Sequence, residues 1–85
     1  MQAYDYFLQA ADQETFIKTQ APLWQISEQD VYDVLVRECA ARRAAEYPPQ
    51  TDYLDAMVKN DTEQVQAYIN ACLAVKQKYP KPPLP

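Results

Sequence analysis

The clearest pattern of apolar and polar positions in the chain predicts an amphipathic helix over residues 28–46. Ser27 precedes this segment and, with Asp30, resembles a capping box at the first helical turn. Two consecutive prolines follow the segment, and they end the helix because proline lacks the N–H that a helix needs. The apolar residues recur with the 3–4 spacing of one buried helix face. They are Val31, Val34, Leu35 and Cys39.

A second long helix is predicted up to residue 79, behind a short one. Asp61 with Gln64 forms another capping box, and Asn60 is suited to a left-handed stop in a chain that has no glycine. Pro80 closes this helix. The short helix before it is capped by Thr51 or Asp52. Its apolar residues are Tyr53, Leu54, Met57 and Val58, and those of the long helix are Val65, Tyr68, Ile69, Cys72, Leu73, Val75 and Tyr79.

The N-terminal third reads differently, because Tyr4, Tyr6 and Leu8 alternate with other residues at the period of a strand. Asp12 is then the predicted cap of a short helix that Pro22 ends. The segment 23–26 is a second candidate strand, able to pair with the first. Two strands are marginal alone, so we expect this sheet to rest on helices or on another chain.

Together the patterns predict a mainly α fold, with α+β as the alternative. Two long amphipathic helices are joined by a short helix, preceded by a small strand-containing region and followed by an extended, proline-rich C-terminus. The length of 85 residues fits one small domain, assigned to residues 1–79, with residues 80–85 as a tail. Only 20 residues are Val, Ile, Leu, Met, Phe or Trp, which is close to the lower limit for a self-sufficient core.

The composition argues against an enzyme. The sequence has no histidine, the usual acid and base near neutral pH, and no glycine for phosphate-binding loops or nucleophile elbows. Asp52 and Asp55 share a helix face and could do acid–base work in a cleft, although such a pair is more often a solvated helix face. We therefore expect no catalytic residues and no cofactor.

Metal, nucleic-acid and membrane binding are also disfavoured. Two cysteines without histidine supply only half of a tetrahedral metal site. Cys39 and Cys72 could pair in an oxidising compartment, but on apolar helix faces they read as small core residues with reduced thiols. The net charge of −4 and the scattered basic residues do not suit phosphate binding. Residues 1–11 lack the features of a signal peptide, and no apolar segment is long enough to span a membrane. We therefore expect a soluble protein made inside a cell.

Protein binding is the remaining class, and two regions are candidates for it. Trp24, with Tyr4, Tyr6 and Phe7, forms either an exposed contact patch or part of the core. The segment from Pro80 to Pro85 contains P-x-x-P patterns that could fill an aromatic groove, fray, or strap a neighbouring chain. We favour the strap, because ordering a polyproline segment costs little entropy.

Two runs of sequence resemble a known motif. The first, residues 46–56, reads EYPPQTDYLDA, and the second, residues 75–82, reads VKQKYPKP. The pattern is similar to one in short proteins from the tail and tail-fibre gene region of tailed bacteriophages. It matches at Tyr47, Pro48, Asp52, Leu54, Asp55, Ala56, Val75, Lys76, Lys78, Tyr79, Pro80 and Lys81. The chain departs from it at Tyr53, where glutamine is common.

The resemblance implies a virion component of the tail, baseplate or fibre, made in the cytoplasm of the host bacterium. Its partners would be other phage structural proteins, or further copies of itself, and not nucleic acid or membrane. The alternatives are a tail or fibre assembly chaperone and a small acidic protein that binds and inhibits a host factor. The predicted partner-binding residues are Tyr4, Tyr6, Trp24, Tyr47, Pro48, Pro49, Asp52, Asp55, Tyr79, Pro80, Pro82 and Pro83.

Overall fold

The computed structural model describes all 85 residues and contains five helices and no strand. The mainly α fold is therefore confirmed, and so is the pair of long helices joined by a short one. The residues outside the helices form short links and the proline-rich C-terminal segment. The helices are α1 (Ala3–Gln9), α2 (Phe16–Trp24), α3 (Glu28–Glu46), α4 (Gln50–Lys59) and α5 (Thr62–Lys78).

The predicted N-terminal strand is wrong, because those residues form α1. Tyr4 and Phe7 lie three residues apart and are both fully buried, whereas Tyr6 between them is half exposed. This is the periodicity of a helix face. In so short an aromatic run, the sequence does not distinguish it from the alternation of a strand. The carboxylate of Asp5 accepts a hydrogen bond of 2.9 Å from the backbone N–H of Gln2 and supports the first turn.

The second predicted strand is also wrong, since Leu23 and Trp24 form the last turn of α2. Pro22 lies inside that helix instead of ending it. Burial of one face of α2, which includes Ala21, sustains the helix past the proline, since packing contributes more to a helix than propensity does. The helix ends at Gln25, which adopts a left-handed conformation with φ of 57°.

Asp12 caps a turn ahead of α2 and not the helix itself. Its carboxylate accepts a hydrogen bond of 3.0 Å from the backbone N–H of Glu14, and α2 begins only at Phe16. The start of α4 also differs from the prediction, because this helix follows Pro49 directly and needs neither Thr51 nor Asp52 as its cap.

The predicted starts of the two long helices, after Ser27 and Asp61, are confirmed. The Ser27 hydroxyl accepts a hydrogen bond of 3.0 Å from the N–H of Asp30, and the Asp61 carboxylate accepts one of 3.1 Å from the N–H of Gln64. Asn60 takes the left-handed conformation, with φ of 56°, that stops α4. Side-chain caps and one asparagine thus supply the stops that glycine often provides.

The main core lies between α1, α2 and α3, which we call the body. Its residues are apolar or weakly polar and come from all three helices, so that α1 and α2 both pack on α3. Burying these side chains is the main source of stability that the body has. The core residues are Tyr4, Phe7, Phe16, Ile17, Ala21, Val31, Leu35 and Cys39.

Helices α4 and α5 pack on each other as a separate hairpin. The rings of Tyr53 and Tyr68 meet with centroids 5.4 Å apart, but only Ala56 and Val75 are buried there. The molecule measures 53 × 22 × 19 Å. The helix lengths of α3 and α5, about 28 and about 26 Å, together match its long dimension. The hairpin therefore extends the molecule from one end of the body.

Leu35 is the most central aliphatic residue of the body and generates a first prediction. Its side chain has no exposed surface. We expect Leu35→Ala to lower the free energy of unfolding by about 2–5 kcal/mol, because it removes buried methyl groups and leaves a cavity. Urea denaturation followed by circular dichroism measures the change. Leu84→Ala is the matched control, since Leu84 is 79% exposed and its loss should change stability by less than about 0.5 kcal/mol. Equal effects of the two substitutions would contradict this core.

Candidate protein-binding surfaces

The C-terminal segment is fixed to the body by its backbone carbonyls at a place we call the junction (Tyr4, Cys39, Arg43, Tyr79 and Pro80). The Tyr4 hydroxyl donates a hydrogen bond of 2.6 Å to the carbonyl of Pro80. Arg43 Nε donates one of 2.8 Å to the carbonyl of Tyr79, and the Cys39 thiol lies 3.4 Å from the same oxygen. The chain thus returns to the first helix after its last one.

The proline-rich segment packs on its own chain. Pro82 is buried and Pro80 and Pro83 are partly buried. These prolines lie on the body of their own chain, and their predicted packing on a neighbouring chain stays a prediction. The hydrogen bond from Tyr4 to the carbonyl of Pro80 holds the start of the segment in place.

The two runs of residues 46–56 and 75–82 meet beside the junction. Lys78 Nζ lies 2.9 Å from the Glu46 carboxylate, and the Tyr79 hydroxyl donates a hydrogen bond to the same carboxylate. These hydrogen bonds lower the pKa of Glu46 below its ordinary value. The Lys78 ammonium also lies 5.3 Å from the centre of the Tyr79 ring. The end of α5 is thereby tied to the end of α3.

A second polar contact holds α1 on α3. Arg42 lies 2.6 Å from the Asp5 carboxylate and 3.1 Å from the side-chain oxygen of Gln2. The hydrogen bond from Arg42, with that from the backbone of Gln2, lowers the pKa of Asp5 from 3.8 to about 2. The Arg42 guanidinium also lies 5.4 Å from the centre of the Tyr4 ring. An ionised Asp5 thus links α1 to α3.

The aromatic residues of the N-terminal region divide between core and surface. Tyr4 and Phe7 belong to the core. Tyr4 was predicted to bind a partner, but in the structure it is buried and not accessible to one. Burial raises the pKa of Tyr4. Tyr6 and Trp24 are 50% and 37% exposed, with ring centroids 6.5 Å apart in an edge-to-face arrangement. The sequence could not show which of these aromatic residues are buried and which are exposed, because that depends on α1 being a helix.

Leu23 and Ile26, which lie close to Trp24 in the sequence, are also exposed, at 69% and 42%. We call Tyr6, Trp24, Leu23 and Ile26 the Trp24 patch. The Trp24 ring also meets the ring of Phe16 edge to face, with centroids 6.0 Å apart. Contact with a core ring holds the indole in one orientation while leaving part of it open to solvent.

The hairpin carries a second exposed apolar surface that the sequence analysis missed. Its residues were read as the buried faces of two amphipathic helices. In the structure each of these residues is between 40% and 86% exposed, because two helices alone cannot cover one another. A signal was present: residues 64–75 contain no charged side chain, which is unusual for an exposed helix. These exposed residues are Leu54, Met57 and Val58 of α4 and Ile69 and Leu73 of α5.

The other predicted partner-binding residues are spread over the molecule. Tyr47 and Pro48 are partly buried in the link between α3 and α4, and Pro49 is exposed there. Asp52 and Asp55 are exposed on α4, where they line a shallow open hollow. Asp55 is paired with Lys59 at 2.9 Å. The structure therefore does not bring the predicted residues into one site.

Chemistry at the remaining reactive groups is limited to isolated positions. Cys39 is buried at the junction, Cys72 lies on α5, and both are free. No three cysteine, aspartate or glutamate side chains come together to hold a metal ion. None of the five helices combines the length and apolar character needed to cross a bilayer.

Comparisons with family models, with curated proteins and with solved structures gave no match.

The Asp5–Arg42 pair predicts a defined pH dependence. Since the folded pKa of Asp5 lies below 3.8, the stabilisation is present above about pH 4 and is lost as the pH falls towards 2. We expect Asp5→Asn to be less stable than the parent at pH 6, with the difference shrinking as the pH falls through this range. Urea denaturation at a series of pH values measures it. Glu14→Gln is the control, because Glu14 is exposed and makes no ion pair. A difference that is constant with pH would contradict the assignment.

Proposed function

We propose that this protein is a non-enzymatic structural protein of a tailed bacteriophage. It is a small component of the tail, baseplate or tail fibre, and it binds another virion protein through the Trp24 patch. The observation that carries the binding role is the exposure of Trp24 and Tyr6 side by side on the surface of the body. The assignment to phage is supported by the resemblance of the two motif runs.

The Trp24 patch has the composition of an interface anchor. Tryptophan and tyrosine are enriched among the residues that dominate binding energy at protein interfaces. The two rings stack edge to face, so little side-chain entropy remains to be lost when a partner binds. Leu23 and Ile26 add aliphatic surface next to them. A groove or pocket lined by apolar side chains on another virion protein is the complementary surface.

The motif residues have a structural part in this proposal. Glu46, Lys78 and Tyr79 connect the ends of α3 and α5, and the prolines fix the links around them. A rigid connection between body and hairpin suits a part that occupies a fixed place in an assembly. It offers no cleft that would open and close on a substrate.

Composition of the virion tests the proposal. We expect mass spectrometry of purified particles of the phage that encodes the chain to detect it in a fixed ratio to a tail, baseplate or fibre protein. Absence from particles, with the chain present in infected cells, would contradict a structural role and favour the assembly factor or the host-directed inhibitor.

Leu23→Asp tests the Trp24 patch within the same particles. Leu23 is 69% exposed, so the substitution places a charge in the patch without disturbing the core. We expect at least a tenfold loss of the chain from virions, because a buried unpaired charge opposes binding by more than about 1.4 kcal/mol. Leu84→Asp is the matched control at another exposed leucine and should be incorporated normally. Equal incorporation of both variants would show that the patch does not hold the chain in the particle.

A further inference from the structure

A hollow of about 260 Å³ lies between α3 and the C-terminal segment, beside the junction. Its lining comes from one side of α3, from the link that follows this helix, and from the C-terminal segment. Most small-molecule sites have roughly 300–1,000 Å³, so this hollow suits a single side chain of another molecule better than a large ligand. The residues that line it are Val36, Cys39, Ala40, Arg43, Tyr47 and Lys81.

Two positive charges meet at this hollow, and no carboxylate lines it. Three of the eight basic residues of the chain make ion pairs, and Arg43 and Lys81 are not among them. The chain as a whole carries a net charge of −4, so two unpaired cations at one place are an exception on its surface. An anion that lies between them is attracted by both.

The carboxylates in the C-terminal half of α3 already have partners within the chain. Glu46 is paired with Lys78 at 2.9 Å, and Glu38 accepts a hydrogen bond of 2.7 Å from a backbone N–H of α1. Neither of them lines the hollow. The two cations of the hollow are therefore left for an anion from another molecule.

The Arg43 guanidinium is held in place at the hollow. Its Nε donates a hydrogen bond of 2.8 Å to the Tyr79 carbonyl, which anchors one edge of the group. A guanidinium has five N–H donors, so four remain for a ligand, and their fork matches the two oxygens of a carboxylate. The Arg43 side chain is partly buried, so little of its conformational entropy remains to be lost on binding.

The rest of the lining distinguishes a carboxylate on an aliphatic group from an inorganic anion. Val36 and Ala40 of α3 contribute apolar surface, and Tyr47 contributes a partly buried ring. Methylene groups next to a carboxylate gain about 0.8 kcal/mol each when such surface covers them. Phosphate and sulfate have no aliphatic group and gain nothing from these walls. A glutamate side chain combines two methylene groups with a carboxylate.

We propose that this hollow binds a glutamate side chain of a partner protein. The carboxylate lies between Arg43 and Lys81, and the methylene groups contact Val36 and Ala40. The hollow shares no residue with the Trp24 patch and is a second contact site. The inference goes beyond the proposed function and holds whether or not the partner is a virion protein.

NMR titration of the isotope-labelled full chain with N-acetyl-glutamate N-methylamide tests the site, and the neutral N-acetyl-glutamine N-methylamide is the matched control. We expect the first compound, and not the second, to shift the backbone amide signals of the lining residues. Lys18 and Arg37 lie outside the hollow and make no ion pair, so they report unspecific attraction. Equal shifts from the two compounds, or shifts at Lys18 and Arg37 as large as those at the hollow, would overturn the proposal. Binding of propionate without binding of the blocked glutamate would indicate a site for free acids and would also overturn it.

Two substitutions test the charge and the space of the hollow separately. Lys81→Gln should raise the dissociation constant of the blocked glutamate about threefold, because one of the two cations is lost, and the exposed Lys76→Gln should leave it unchanged. Ala40→Leu fills the hollow and should raise the dissociation constant at least about fivefold, whereas Ala41→Leu, at an exposed position outside the hollow, is its control. Circular dichroism confirms that the variants remain helical. Unchanged binding in either Lys81→Gln or Ala40→Leu would contradict the site.

Discussion

The hydrogen bond between the Tyr4 hydroxyl and the Pro80 carbonyl brings the two ends of the chain together and holds the C-terminal segment, with the end of the hairpin, against the body. Around this contact, Arg43 and Cys39 of α3 approach the Tyr79 carbonyl, so the first helix, the central helix and the C-terminal segment meet at one place. A partly buried polar contact is stronger than the same contact in water, and it is costly to break on one side only. It allows a chain with few aliphatic residues to hold both of its ends.

The division of the molecule into body and hairpin follows from the shortage of apolar residues. The body gathers the large aromatic and aliphatic side chains of three helices, and the hairpin buries only one alanine and one valine. The surplus apolar surface is therefore outside, in the Trp24 patch and on the hairpin. Both regions stay exposed because the five helices of so short a chain do not cover them.

The sequence predicted the elements that have strong periodicity and clear ends. Ser27, Asp61 and Asn60 mark helix ends through local hydrogen bonds or a left-handed conformation, so the bounds of α3 and α5 could be read directly. The N-terminal helix could not, because Tyr4, Tyr6 and Phe7 fit both a strand and a helix over so few residues. The candidate surfaces were predicted in part: Tyr6 and Trp24 are exposed, but Tyr4 is core, and the burial of Pro82 depends on a tertiary contact that sequence spacing does not reveal.

The account depends most directly on the Tyr4–Pro80 contact, and one comparison of stabilities tests it. Tyr4→Phe removes a single hydroxyl and keeps the buried ring, whereas Tyr6→Phe removes the hydroxyl of a half-exposed ring that makes no hydrogen bond within the chain. Urea denaturation should show a loss of about 1–2 kcal/mol for Tyr4→Phe, since the Pro80 carbonyl then lacks its donor, and almost none for Tyr6→Phe. Equal stabilities for Tyr4→Phe and the parent would contradict a structure in which this hydrogen bond joins the ends of the chain.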